Sequence, residues 1–208
     1  MGKTLLIIFG LLVSLTIYSQ IPEKSSLDRW DSNTLAKANT GVSVDYLNDE
    51  EKMVIFITNL ARINGPLFIE TILEPYLQEK PKTRFTKSLY KDLNKVNNLK
   101  PLQPESDLYK IALGHAEKTG RKGTLGHEGF ERRFKPLMTK YNMVAENCAY
   151  GFEKGFDNAL QLLIDEGVQG LGHRKNMLNP EFNSIGVSIK THKTYRYTCV
   201  MDFGKKSR

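Results

Sequence analysis

Cysteine is scarce in this chain. Cys148 and Cys199 are the only two among its 208 residues, so no dense disulfide framework can hold the fold and a hydrophobic core has to do so. No cysteine closely follows the one long apolar run, which leaves attachment through a lipidated N-terminal cysteine without a residue to use. A G-x-S-x-G elbow is missing, and neither cysteine sits in a motif that marks a nucleophile. The HEGFE string that begins at His127 lacks the second histidine of a zincin, so protease chemistry has no evident machinery. Nor does any stretch combine a basic run with stacking aromatics. Lys80, Lys82, Lys118, Arg121, Arg132 and Arg133 are scattered, which argues against a nucleic-acid partner. No internal repeat or low-complexity tract is found.

What is present suits one domain behind a leader, because 40% hydrophobic and 10% aromatic residues are enough to fill a single core. Lys3 precedes an apolar run from Leu5 to Ile17 that ends at Ser19 and Gln20, the layout of a signal peptide over residues 1–19. The run falls short of the ~20 apolar residues of a membrane span, so membrane contact is expected only through an uncleaved leader. The expected location is secreted or periplasmic. Lys and Arg number 30 against 23 Asp and Glu; removing Lys3 leaves 29 against 23, enough for weak attraction to anionic surfaces. Residues 20–46, polar and patternless from Ile21 to about Tyr46 and holding the one tryptophan, Trp30, read as an N-terminal arm or linker. The domain proper is expected over 47–208.

Asn48 opens an amphipathic helix: it can cap, Glu51 lies three residues on, and Met53, Ile57, Leu60 and Ala61 recur at helical spacing before Gly65 and Pro66. A short helix follows Pro66, with Pro75 and Pro81 as interruptions and a loop from Gln78 to Lys82. Another helix begins at Ser106 and carries Leu108, Ile111, Ala112, His115 and Ala116 on one stripe. Phe130, Phe134 and Leu137 predict a further turn or two, and Phe156 to Leu163 a last helix that Asp157 can cap. Ser184–Lys190 and Tyr195–Phe203 alternate about a turn at 191–193, which predicts a β-hairpin. Helices that precede and flank a small, mostly antiparallel sheet make the fold class α+β.

Two of the four histidines stand among glycines, His127 in LGHEG and His173 in LGHRKNML, where the backbone can aim a side chain into a cleft. Glu146 in AENCAYG and Glu166 in IDEGVQGLGHR are placed comparably. Singly, each has a structural explanation. His115 on its apolar stripe reads as a packed core group, and His192 in the hairpin turn as a solvated loop residue. Cys148 and Cys199 both fall on predicted strands. A bridge between them can pin the sheet if the strands are neighbours and the Cβ vectors converge; two buried free thiols are the alternative.

The order of these strings resembles the CAP superfamily of cysteine-rich secretory, antigen 5 and pathogenesis-related proteins. From about Leu47 to Gly204 the chain reads GH, then AEN with A-x-G, a helix, GHR-x-N-x-L, G-V-S and a closing strand that ends DFG. Asn59 and Arg62 are similar to the family's first-helix N-x-x-R, and HAEKTG at 115–120 to its second-helix segment. The resemblance, closest to the simpler bacterial branch, implies an α-β-α sandwich with an open cleft in which His127, Glu146, Glu166 and His173 gather. Glu166 rests on aligning Leu163 with a family tryptophan, and Asp165 is the alternative at that place.

Two neutral imidazoles can ligate a divalent metal such as Zn²⁺, with a carboxylate completing the shell or fixing a tautomer. His127 and His173 are the candidate ligands, and no other cofactor is expected. The preferred expectation is a secreted or envelope binding module, not an enzyme, whose cleft takes a small apolar ligand, a peptide or a divalent metal. The alternative is a metal-dependent hydrolase in which Glu146 orients one imidazole and Glu166 activates water, with these two glutamates as the catalytic candidates. A third reading is an interaction protein whose four residues brace the fold.

Overall fold

The computed structural model describes residues 24–207; the signal segment expected over 1–19 lies outside them. Two short helices come first, α1 (Lys24–Leu27) and α2 (Ser32–Ala38), the second capped by Asp31, whose side chain accepts from the Thr34 N–H. Trp30, Ala38 and Leu47 are buried in the main core, and the Trp30 indole donates to Thr71. The stretch read as an arm or linker is therefore an arm packed onto the body. Its helices went unseen because their apolar residues are too few to show a period.

α3 (Asp49–Ile63) has the expected capping box, Asn48 accepting from the Glu51 N–H and Glu51 accepting from the Asn48 N–H. α4 (Gly65–Phe68), a π turn over Ile69–Leu73 and α5 (Glu74–Leu77) form one continuous helical run. Pro75 does not interrupt it. The wide turn lies just before, and proline at the head of α5 needs no N–H partner. Residues 78–83 are loop, as expected. α6 (Arg84–Leu93), capped by Thr83, was not anticipated from its mostly polar sequence. β1 (Gln103–Pro104) leads into α7 (Ser106–Lys122), which ends on a left-handed Gly123.

α8 (Phe130–Phe134) and a 3₁₀ turn over Lys135–Leu137 precede β2 (Tyr141–Tyr150). α9 (Gly155–Ile164) follows, and its cap is not Asp157, which lies inside the first turn; the Gly155 N–H is taken by the distant Glu50 carboxylate at 2.8 Å. Nor is α9 the last helix, since α10 (Gly172–Met177) comes after it. β3 (Ser184–His192) and β4 (Arg196–Lys206) make the predicted hairpin. The sheet order is β1-β3-β4-β2, antiparallel except for the short β1–β3 pair. Among the described residues no helix is long and apolar enough to cross a membrane.

The sheet separates two unlike layers. One face carries Ile185, Val187, Ile189, Cys199, Met201 and Phe203 into the main core with α3 and α9. The other carries Ser184, Gly186, Ser188, Val200, Asp202, Glu146 and Cys148, small or polar, beneath α7. The layers are α-β-α. Small residues let α7 come very close: a Cβ on Gly186 would lie 2.2 Å from backbone atoms of Leu108 and Tyr109, and one on Gly120 2.2 Å from the Thr191 carbonyl.

Two buried guanidiniums tie distant segments together. Arg62 donates to the carbonyls of Lys100, Met177, Asn179 and Phe182, and burial lowers its pKa to about 10. Arg174 donates to the carbonyls of Leu163, Ile164 and Phe85, to Ser88 and to Asp92. Asn59 binds both N–H and C=O of Leu102 and the Ala38 carbonyl, tying the arm to the body.

The Cys148–Cys199 bridge is not made; both cysteines are free and buried. Their strands are neighbours, but Cys148 pairs with Val200 and Cys199 with Ala149, so the two side chains leave opposite faces and their Cβ vectors cannot converge. Both thiols should resist a thiol reagent in the native protein and both should react after denaturation without reductant; a thiol that appears only after reduction would contradict this geometry. Gly186→Ala should cost about 3 kcal/mol in urea unfolding, because helix and strand must separate to admit one methyl group.

Candidate functional site

β2 is the edge strand that the site is built on. Its pairing puts Glu146 opposite Asp202, both beneath α7, with the Glu146 side chain only 1% exposed. Such a carboxylate needs charge and hydrogen bonds to stay ionised. Arg133 of α8 supplies both, its two terminal nitrogens lying 2.6 and 2.9 Å from the Glu146 oxygens. His127 Nδ1–H donates to Oε1 at 2.9 Å. Burial alone would raise the Glu146 carboxyl, but the bonds from His127 and Arg133, with the Arg133 charge, hold it at about 2.

The loop that presents His127 is anchored by the other histidines. His192 Nε2–H donates to Thr124 O, and His115 Nε2–H to Gly126 O at 2.9 Å; the Gly126 N–H in turn donates to the Tyr150 hydroxyl. Gly126 and Gly129 have φ of 88° and 70°, conformations that favour glycine. His127 itself is 49% exposed along its side chain. His115 is a packed group as expected, yet it also lies 3.7 Å from Glu146. His192 differs from its reading as a solvated loop residue. It is buried at the end of β3, with Nδ1 accepting the Thr194 and Tyr195 N–H groups that close the turn.

The second histidine is held by Asp165, not by Glu166. Asp165, 2% exposed, sits in a left-handed conformation (φ 58°) at the end of α9. Its Oδ2 accepts the His173 and Arg174 N–H groups at the head of α10, and its Oδ1 accepts His173 Nδ1–H at 2.7 Å. Glu166 is exposed and accepts from the Thr83 hydroxyl. The left-handed turn folds the first acidic side chain back over α10 and sends the next one outward, which a linear alignment does not reveal. Leu163 is buried.

Two histidine–carboxylate pairs result, His127–Glu146 and His173–Asp165. They reach the β2 edge from its two sides: Glu146 is on the α7 side, while the next residue, Asn147, donates to the His173 backbone carbonyl at 3.0 Å. In each pair Nδ1 is committed to a carboxylate, which fixes the tautomer and leaves the Nε2 lone pair outward, the arrangement found behind metal-ligating histidines. The residues thus suit a divalent metal. Arg133, Asp202 and Tyr150 were not singled out from the sequence; the available signal was Asp202 standing alone in the otherwise apolar run 199–203. Neither thiol is activated. Burial, with the Glu146 charge, pushes Cys148 well above the usual thiol range, and burial does the same to Cys199.

Residues 58–203 match the model of CAP, the cysteine-rich secretory protein family. The chain belongs to that family. Asn59 and Arg62, inside the matched stretch, are both structural ties here. CAP-type solved structures similar to this chain include an extracellular protein containing a SCP domain from Bacillus anthracis str. Ames, at 19% identity and TM-score 0.46 over 76% of this chain and 41% of that one. A cysteine-rich secretory protein from Staphylococcus aureus subsp. aureus Mu50 has 21% identity and TM-score 0.42 over 61% and 40%. An outer surface protein from Borrelia burgdorferi has 22% identity and TM-score 0.44 over 59% and 90%. No curated protein matches the chain.

Arg133→Met should cost about 3 kcal/mol at pH 7 by leaving the Glu146 carboxylate buried without its cation. The sign with pH follows. In the wild type the depressed Glu146 value contributes stability above the ordinary carboxylate range, lost as pH falls toward 2. Without Arg133, burial dominates and the proton is taken up at higher pH, so the deficit should shrink between pH 7 and pH 5. Urea unfolding at both values checks it; a deficit that grows on acidification would count against the assignment.

Proposed function

We propose that this CAP-family chain is an extracytoplasmic binding module that presents His127 and His173 to an exchangeable divalent metal ion. The carrying observation is that each imidazole, His127 exposed and His173 half-buried, is tethered through Nδ1 to a buried carboxylate, at 2.9 and 2.7 Å, with Nε2 left over. With two strong protein ligands, water or a bound molecule would complete the shell, and the ion would exchange readily. The Lys3-led apolar segment ending at Ser19 supports the extracytoplasmic location.

The hydrolase reading lacks its base, since Glu166 is turned to solvent and bonded to Thr83. A small apolar ligand has separate support in a cavity of about 600 Å³ lined by Phe130, Phe134, Met138 and Val144.

Native mass spectrometry with metal analysis, on protein purified without chelator or affinity metal, tests both readings. The variant His127→Ala/His173→Ala should bind one zinc fewer than the wild type, and Glu166→Gln should bind the same. Unchanged zinc in the double variant would sink the metal reading, and a co-purifying apolar mass on metal-free protein would favour the cavity.

A further inference from the structure

Beneath α7, the sheet holds a concentration of polar atoms without partners. Among the described residues eight buried polar side-chain atoms make no hydrogen bond, and five of them are here: His115 Nδ1, Ser188 Oγ, Thr198 Oγ1 and both oxygens of Asp202. Native interiors pair such atoms. Asp202 is fully buried, directly across the ladder from Glu146.

We propose that this face is a second, buried site for a thiophilic divalent cation of the zinc type, held by His115, Glu146, Cys148 and Asp202. The donor atoms of His115, Glu146 and Cys148 all lie within 4.8 Å of one another, and all three residues are buried. Asp202, facing Glu146 across the ladder, adds a second buried carboxyl. Nitrogen, sulfur and carboxylate oxygen together suit zinc better than the hard cations, which prefer oxygen alone. The His115 nitrogen that faces the cluster is Nε2, 3.7 Å from Glu146 Oε1 and 2.9 Å from the Gly126 carbonyl; the cation takes that nitrogen in place of the carbonyl, and the ring proton moves to the unpartnered Nδ1.

Charge balances without moving Arg133. In the cation-free pocket the Glu146 carboxylate is matched by the Arg133 guanidinium. Asp202 faces the same carboxylate from the neighbouring strand, and two buried carboxyls that share one guanidinium retain a proton between them, as the buried Cys148 thiol retains its own. A divalent cation replaces those two protons, which leave to solvent, so the net charge is unchanged. The donors differ from the exposed pair of the proposed function. Glu146 is shared only because it also holds His127 Nδ1.

Cobalt reports the sulfur ligand directly. Co²⁺ added to the full chain should give a thiolate-to-metal absorption band in the near ultraviolet. The band should persist in Cys199→Ala and in His127→Ala/His173→Ala and vanish in Cys148→Ala. In Asp202→Asn the affinity should fall about tenfold or more. Cys148→Ser, with thermal unfolding of each cation-free variant, separates loss of a ligand from loss of the fold. No band in the wild type, or a band that survives in Cys148→Ala, overturns the buried site. A band lost in the double-histidine variant assigns the thiolate to the exposed site instead. The zinc count of that variant tests the exposed site independently of the band.

Discussion

A carboxylate buried inside a sheet has to be neutralised where it lies, and the organisation of this protein's α7 face follows from that requirement at Glu146. Arg133 comes in from α8 to meet it, which fixes α8 over the strand and sets the reach of the glycine-rich loop before it. The same oxygen that accepts from Arg133 also accepts from His127, so the exposed imidazole takes its orientation from a charge pair it does not belong to. His115 and His192 hold the loop from below through backbone carbonyls. Three of the four histidines thus serve one short segment, and only one of those three faces solvent.

The opposite side of the strand uses the same strategy with different parts. Asp165 closes α9 in a left-handed turn and satisfies the first N–H groups of α10, while also gripping the His173 ring. Buried arginines do the long-range joining. Arg62 gathers carbonyls from three separate stretches of chain, and Arg174 locks α10 to α6 and to the end of α9. A planar group with five donors suits such work, because each irregular segment brings carbonyls that no helix or ladder can satisfy.

Elements with a strong local signal were legible in the sequence: the Asn48–Glu51 capping box, the α7 stripe and the hairpin with its alternation. α6 and α10 were not, because one is largely polar and the other is a single glycine-led turn whose stability comes from Asp165 and Arg174. His127, Glu146 and His173 could be found from their strings, since glycines and a strand start mark them locally. Asp165 against Glu166 could not be decided. That choice depends on one backbone dihedral, and both residues are acidic. The fate of the cysteines depended on strand register, which shifts a side chain from one face to the other with a single step.

The back-to-back placement of Cys148 and Cys199 bears on how the chain can fold. A bond between them is geometrically incompatible with the finished sheet, yet nothing forbids it in the unfolded chain. In any oxidising compartment, closure of β2 against β4 therefore races covalent capture. The native pairing wins only if the strands align before the sulfurs couple, after which the sheet itself stands between them. The fold is its own reductant-free protection, and agents that delay strand alignment would trap the chain as a dead-end oxidised species.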